Sequence, residues 1–170
     1  MWQIGMIAAL LVGMTYGRDQ HIRGTTEAAL KDSTGKEVGR VRLREERGAI
    51  VVEVRVRGLP KGQHGMHLHE TGLCDPPGFA TAGAHWNPLG RMHGRRNRKG
   101  PHLGDLGNIA VGGNGWGDRT VTVRGAEARA GLSTFLGDKG RALVIHASRD
   151  DEKTDPSGNS GARIACAVLH

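Results

Sequence analysis

Aromatic side chains are scarce in this chain of 170 residues: two phenylalanines, one tyrosine and three tryptophans, 4% of the total. The densest basic run, Arg95-Arg96-Asn97-Arg98-Lys99, therefore lacks the interleaved rings on which single-stranded nucleic acid stacks. It reads as a solvated loop whose positive potential draws in small anions. Cysteine occurs only twice, at Cys74 and Cys166, and in no Cys-x-x-Cys pattern, which excludes a thiol-redox motif or a zinc finger. No apolar run reaches the roughly 20 residues of a bilayer span. An amphipathic helical period and an internal repeat are both missing. Carboxylates are few, 17 against 24 lysines and arginines, so the chain carries +7 and suits anionic partners.

Glycine is abundant at 28 residues, the mark of a fold rich in turns. Apolar residues still make up 37%, enough for a core in one domain. Met1 to Gly17 carries no charged side chain. Its apolar stretch from Ile4 to Met14 and the small residues of Thr15-Tyr16-Gly17 read as an export signal. The expected organisation is thus a cleaved signal at 1–17, a tail at 18–24 and one domain at 25–170, with no membrane span after cleavage. In an exported chain Cys74 and Cys166 read as one disulfide; in a cytosolic chain they read as two unrelated buried thiols.

Alternating apolar and polar residues predict strands at Thr25–Lys31, Glu37–Glu45, Ala49–Arg57 and His64–Glu70. The pattern stops from Thr71 to Gly104. It returns at Asn108–Val111, Thr120–Arg124, Arg141–His146 and Arg163–Leu169, with a second turn-rich loop at Asp150–Gly161. Short strands with two long loops indicate an all-β antiparallel sandwich or barrel.

Positions two apart on a strand share a face, so His67 and His69 would aim two imidazoles at one point. As a pair they are equally well read as polar surface. Of nine histidines, however, His67, His69, His85, His93 and His102 fall in or beside the first loop, and His146 ends a strand. A metal gives an irregular loop the fixed points its missing secondary structure does not. His67, His69, His85 and His146 offer four nitrogens, a set that suits copper. His93, His102 and Asp105 are one ligand short of a structural zinc unless a histidine serves both ions, and imidazole has two nitrogens.

The motifs His64-Gly-Met-His-Leu-His-Glu70, Ala82-Gly-Ala-His-Trp-Asn-Pro88, His93-Gly94, His102-Leu-Gly-Asp-Leu-Gly-Asn108, Leu143-Val-Ile-His146 and Gly158-Asn-Ser-Gly-Ala-Arg-Ile-Ala-Cys166 resemble, in order, those of the copper/zinc superoxide dismutases. The resemblance covers roughly Thr25 to Leu169 and is closest to bacterial exported members. It implies a Greek-key, immunoglobulin-like β-sandwich or flattened barrel, and dismutation of superoxide to dioxygen and hydrogen peroxide as protection against oxidative stress. By the same resemblance, copper is held by His67, His69, His85 and His146. Zinc is held by His85, His93, His102 and Asp105, with His85 as the shared bridge that releases copper and takes a proton in each cycle. Asp150 links the copper histidine His67 to the zinc histidine His93. Arg163 docks the anion beside copper, His64 stays off the metals, and Cys74–Cys166 is the family disulfide.

The second loop departs from animal members: Pro156 stands where a steering lysine is sought, and Lys153 is the substitute at hand. A homodimer in the periplasm or outside the cell is expected, with superoxide as the substrate and no specific nucleic-acid partner. Two other functions could use the same residues: a secreted copper and zinc carrier, or a basic protein that binds anionic surfaces through Arg95–Lys99. A carrier needs neither Arg163 nor a shared imidazole, so their presence favours the enzyme.

Overall fold

Each alternating segment becomes a strand in the computed structural model, which describes residues 22–170. The expected export segment lies outside the described residues. Strand β1 spans Ile22–Asp32, β2 Glu37–Glu46, β3 Ala49–Val56 and β4 Gly62–His69. Strand β5 spans Asp105–Val111, β6 Gly117–Val123, β7 Arg141–His146 and β8 Arg163–Leu169. All pairings are antiparallel. The order β5-β4-β7-β8-β1-β2-β3-β6 curls the sheet into a nearly closed, flattened barrel. Strands β5 and β6 meet along a seam with no ladder between them. This is the expected all-β Greek-key architecture.

Strand starts run ahead of the alternation at β5 and β6. Gly104 and Gly107 break the period before Asn108, yet Asp105 already pairs with His67. Gly117 and Asp118 carry no apolar pattern, but Val56 and Arg55 hold them in the ladder. The sequence shows no helical period, and two very short helices form nonetheless, α1 at Ala126–Arg129 and α2 at Leu132–Leu136. Segments of four and five residues cannot display a 3.6-residue period.

Strands β4 and β7 are buried on both faces, and each face has its own task. Met66 and Leu68 of β4 enter the main core with Leu143 and Ile145 of β7, alongside Leu43, Ile50, Val52 and Leu106. Their alternate neighbours, His67 and His69, face the other way and are 0% exposed. There they lie opposite Val144 and Ala142 across the ladder. Ala142 and Val144 join Phe79, Ala82 and Cys166 in a second, smaller apolar cluster beneath the first loop. The loop thus closes over the histidine face of the barrel.

The covalent tie at this point is Cys74–Cys166, with Cα atoms 5.8 Å apart and 92 positions between them in sequence. Closing such a loop restricts the unfolded chain by about 4.5 kcal/mol in the loop-entropy account. Main-chain bonds add a miniature ladder: Glu70 N–H to Ala84 O, Trp86 N–H to Leu68 O, and Gly104 N–H to Trp86 O. Trp86 is fixed further by Phe135 of α2, edge-on at 4.7 Å, and by the Arg141 guanidinium 4.6 Å from its ring centre. The residue between Ala84 and Trp86 is His85.

Candidate metal centre

Strand alternation delivers three histidines to one spot. His67 and His69 point outward from β4, and His146, two residues past Val144, points the same way from β7. His85 comes in from the loop and joins them, its ring stacked on His67 with centroids 3.9 Å apart. One nitrogen from each of His67, His69, His85 and His146 lies within 4.8 Å of the others.

Each ring is oriented by its other nitrogen. His69 Nδ1 meets the Gly83 carbonyl at 3.0 Å, and His146 Nδ1 meets Gly161 O at 3.0 Å. His67 Nε2 meets Asp150 Oδ2 at 2.8 Å. The nitrogens left over, His67 Nδ1, His69 Nε2 and His146 Nε2, are buried without a hydrogen-bond partner.

A second group is built around one carboxylate. Asp105 Oδ2 accepts two main-chain N–H groups, from Gly94 at 2.8 Å and His102 at 2.9 Å. That fixes Oδ1, which faces Nδ1 of His93 at 3.0 Å, of His85 at 3.2 Å and of His102 at 3.3 Å. Ligands about 2.0–2.1 Å from a tetrahedral zinc lie about 3.3 Å from one another, so this spacing fits that ion. His93 Nδ1 and His102 Nδ1 are buried and unpartnered as well.

His67, His85, His93 and Asp105 also bring ligand atoms within 4.8 Å of one another. His67 nevertheless has its Nε2 on Asp150, while His102 aims Nδ1 at Asp105. Asp150, 1% exposed, spans the two groups: Oδ2 to His67 and Oδ1 to His93 Nε2 at 2.9 Å.

Among the described residues, seven buried side-chain polar atoms lack a partner, and five are imidazole nitrogens of these two groups. An unmet buried polar atom costs about 1–3 kcal/mol. Five in one place are better explained by cations that complete them, and imidazole with one carboxylate suits copper and zinc.

The two groups differ electrically. Burial pushes His67 down to about 3, His69 to about 2 and His146 to about 4, despite the bonds that oppose it. All three are therefore neutral and ready to donate electron pairs. Burial lowers His85 too. Burial also opposes a charge on His93, but the adjoining carboxylates of Asp105 and Asp150 win and raise it to about 9. Burial would raise both carboxylates. Their histidine partners, with the Gly94 N–H for Asp105 and the Glu152 N–H for Asp150, hold them well below the ordinary range.

Arg163 lies beside the centre, paired with His146 in the β7–β8 ladder. It donates to Phe79 O at 2.6 Å and to Gly83 O at 2.7 Å. It lines a surface depression of about 540 Å3 with Pro77, Gly78, Ala80, Gly161 and Ala162. Gly83 sits at φ 77, ψ −153, a region open essentially to glycine alone. His64 stands apart, with Nδ1 on His146 O and Nε2 on Pro60 O, both at 2.8 Å. Lys153 packs by its main chain on the first loop, its carbonyl accepting from Asn97 Nδ2.

The sequence reading passed over two supporting residues. Asn108 holds Asp150 at both ends, donating to its carbonyl and accepting its N–H. Asp155 accepts the His93 N–H at 2.6 Å. Asn108 closes a motif already singled out, whereas Asp155 looks like any turn residue.

A nearly closed antiparallel barrel whose outer histidine face and capping loop gather two adjoining groups of potential metal ligands, with an arginine beside them, has the frame of a metalloprotein. Residues 37–169 match the family model described as copper/zinc superoxide dismutase (SODC). The chain is 35% identical over 173 residues to Superoxide dismutase [Cu-Zn] 2 of Aquifex aeolicus, covering 97% of this chain and 96% of that protein. It is 33% identical to the extracellular superoxide dismutase [Cu-Zn] of Onchocerca volvulus, covering 91% and 83%. The crystal structure of a SOD-like protein from Bacillus subtilis superposes with a TM-score of 0.78 at 36% identity, covering 85% of this chain and 97% of that one. The chain belongs to the copper/zinc superoxide dismutase family; its activity is dismutation of superoxide, with copper and zinc as cofactors. Among the described residues no helix is long and apolar enough to cross a membrane.

Proposed function

We propose that His67, His69, His85 and His146 hold copper, that His85, His93, His102 and Asp105 hold zinc, and that His85 is shared between them. The observation that carries this assignment is the division of unpartnered nitrogens: three beside His85 on the strand face, two around Asp105 Oδ1. Bound copper supplies the one-electron oxidation and reduction that superoxide dismutation requires.

The chain's own residues do the rest. Arg163, tied by two carbonyls, offers its remaining N–H groups to the anion and fixes its approach. Burial of the histidines, none more than 8% exposed, excludes bulk water from the reacting position. His85 keeps its Nδ1 side on Asp105, so its Nε2 is the nitrogen free to take up and return a proton. Asp150 orients His67 and His93 together, and such outer partners sustain ligand basicity.

The same reading places the protein outside the cytoplasm, in the periplasm or beyond the cell, as a homodimer. A disulfide persists in an oxidising compartment, and an exposed Leu73 beside the groove of Cys74, Pro76 and Val168 gives the barrel an apolar face. Sedimentation of the mature protein tests the second point.

The deciding experiment is His146→Ala in the mature protein, with copper and zinc counted per chain. Copper and activity should fall to background while zinc stays near one per chain. Full activity in this variant would overturn the copper assignment.

A further inference from the structure

One conspicuous feature takes no part in the metal centre. Between Pro88 and Gly104 the first loop carries Arg91, Arg95, Arg96, Arg98 and Lys99 and no carboxylate. All five side chains are exposed. Their loop is nonetheless well fixed: Met92 N–H donates to Lys99 O, Arg96 N–H to Glu152 O and Asn97 N–H to Gly94 O. Gly94, at φ 95, lies so close to Glu152 that a side chain there would run into its carbonyl.

The loop borders the open end of the β5–β6 seam. At the hairpin end, Gly117 lies tight against Ala110. At the other end the seam widens into a groove of about 360 Å3, lined by Arg95, Arg119, Arg124, Thr120 and Thr122, and bordered by His102 and Asp105 of the second ligand group. Arg119 lies opposite Val54 in the ladder. Side chains directly opposite share a face, and Val54 is 1% exposed. An exposed arginine thus occupies a core-facing position at the seam. Among the described residues, ion pairs of lysine or arginine involve Arg40 and Arg44 alone. The cations of the groove have no carboxylate within 4.0 Å. Arg95 donates to the Asp105 main-chain carbonyl at 3.4 Å, and Glu152, across Gly107, does not reach it.

We infer that the seam groove and the Arg91–Lys99 loop form a binding surface for a linear, flexible polymer of phosphate groups. Guanidinium forks match tetrahedral oxyanions two bonds at a time, and arginines outnumber lysines here. The threonine hydroxyls add neutral donors. The one aromatic ring in the lining, His102, is only 6% exposed and turned onto Asp105, so it offers no free face for a base, and single-stranded nucleic acid is a poor fit. A cleft between a loop and a strand edge admits one flexible chain better than the rigid cylinder of a duplex. The groove shares no lining residue with the Arg163 opening, and charges farther apart than about 8–10 Å are largely screened at physiological salt. Such a surface would hold the enzyme on a phosphate-rich matrix and leave its opening free.

The test uses the mature, metal-loaded protein and fluorescently labelled linear polyphosphate, with anisotropy read from 50 to 200 mM salt. Binding should weaken steeply with salt, each neutralised phosphate adding about 0.7–0.9 to the log–log slope. Arg119→Ser with Arg124→Ser, both exposed side chains, should weaken binding about 10-fold and lower the slope by about 2. Lys36→Ser with Lys61→Ser removes the same formal charge away from the groove and should change binding less than about twofold. Equal losses from the two pairs would mean attraction by net charge alone and would overturn the inference. So would displacement of the polymer by an equal phosphate concentration of inorganic phosphate, or tighter binding of a duplex DNA of matched charge. Melting curves of both pairs confirm that folding is kept.

Discussion

Of the proposed ligands, three stand on β4 and β7, three stand on a loop, and Asp105 sits where that loop enters β5; the strand set and the loop set are built in opposite ways. His67, His69 and His146 are carried by β4 and β7, whose other faces are packed into the main core. No carboxylate faces their free nitrogens, and burial keeps them neutral. His85, His93, His102 and Asp105 come from a segment with one short 3-10 turn, Ala80–Ala82. They are ordered by Asp105, Asp150 and the disulfide. A strand positions a ligand through backbone geometry that exists without any ion. A loop has to be held, by acids, by a covalent bond and by the cation itself.

The sharpest way to break this contrast is Asp105→Ala. Losing the one oxygen that faces three histidines should abolish zinc binding, a drop beyond about 100-fold in affinity. The strand-borne nitrogens should still take copper, the mirror image of His146→Ala. Metal analysis of the two variants side by side decides it: loss of both ions in Asp105→Ala would show that the strand set is not preformed.

Asp150→Asn comes next. Because Asp150 bonds a histidine of each set, affinity should fall about 10–100-fold on both sides. A fall confined to zinc would mean that His67 is fixed by its strand alone. Replacing Cys74 and Cys166 together by serine should cost about 2–5 kcal/mol in denaturant unfolding, and proteolysis should then cut first between residues 71 and 104.

The smallest effect per unit of change is that of pH on the metal-free protein. His67, His69 and His146 titrate at about 3, 2 and 4 in the fold and near 6.5 when unfolded. Below pH 6.5 the unfolded chain binds protons that the fold refuses, so stability is lost as pH falls toward 4. His93, raised to about 9, contributes fully below 6.5, and its contribution is lost as pH rises through 9. Each proton is worth about 1.4 kcal/mol per pH unit. With His85 also lowered, the acid limb should be at least about three times steeper than the alkaline limb, as read from urea midpoints between pH 5 and 9. A steeper alkaline limb would reverse the assignment of which set carries the charge.

The same contrast explains what could be read in advance. A two-residue period is visible in any strand, so the eight strands and the shared face of His67 and His69 were legible from alternation. The first-loop ligands have no period. His85, His93, His102 and Asp105 could be gathered only by counting histidines and by family resemblance. Asp155 stayed hidden because its contact, the His93 N–H, lies across 62 positions of chain. The helices α1 and α2 stayed hidden because they are too short to repeat. Arg119 lies one residue before the alternating segment Thr120–Arg124, and only its pairing with Val54 reveals that it occupies a core-facing place.

The Gly83 carbonyl accepts from His69 at 3.0 Å and from Arg163 at 2.7 Å. One oxygen atom is thus the common reference mark for the ring proposed to grip the ion and for the fork proposed to greet the visitor. Any drift of that peptide shifts both together, so their mutual aim survives small movements of the loop. A methyl group there, 2.6 Å from a Glu70 oxygen, would misalign the two at a stroke.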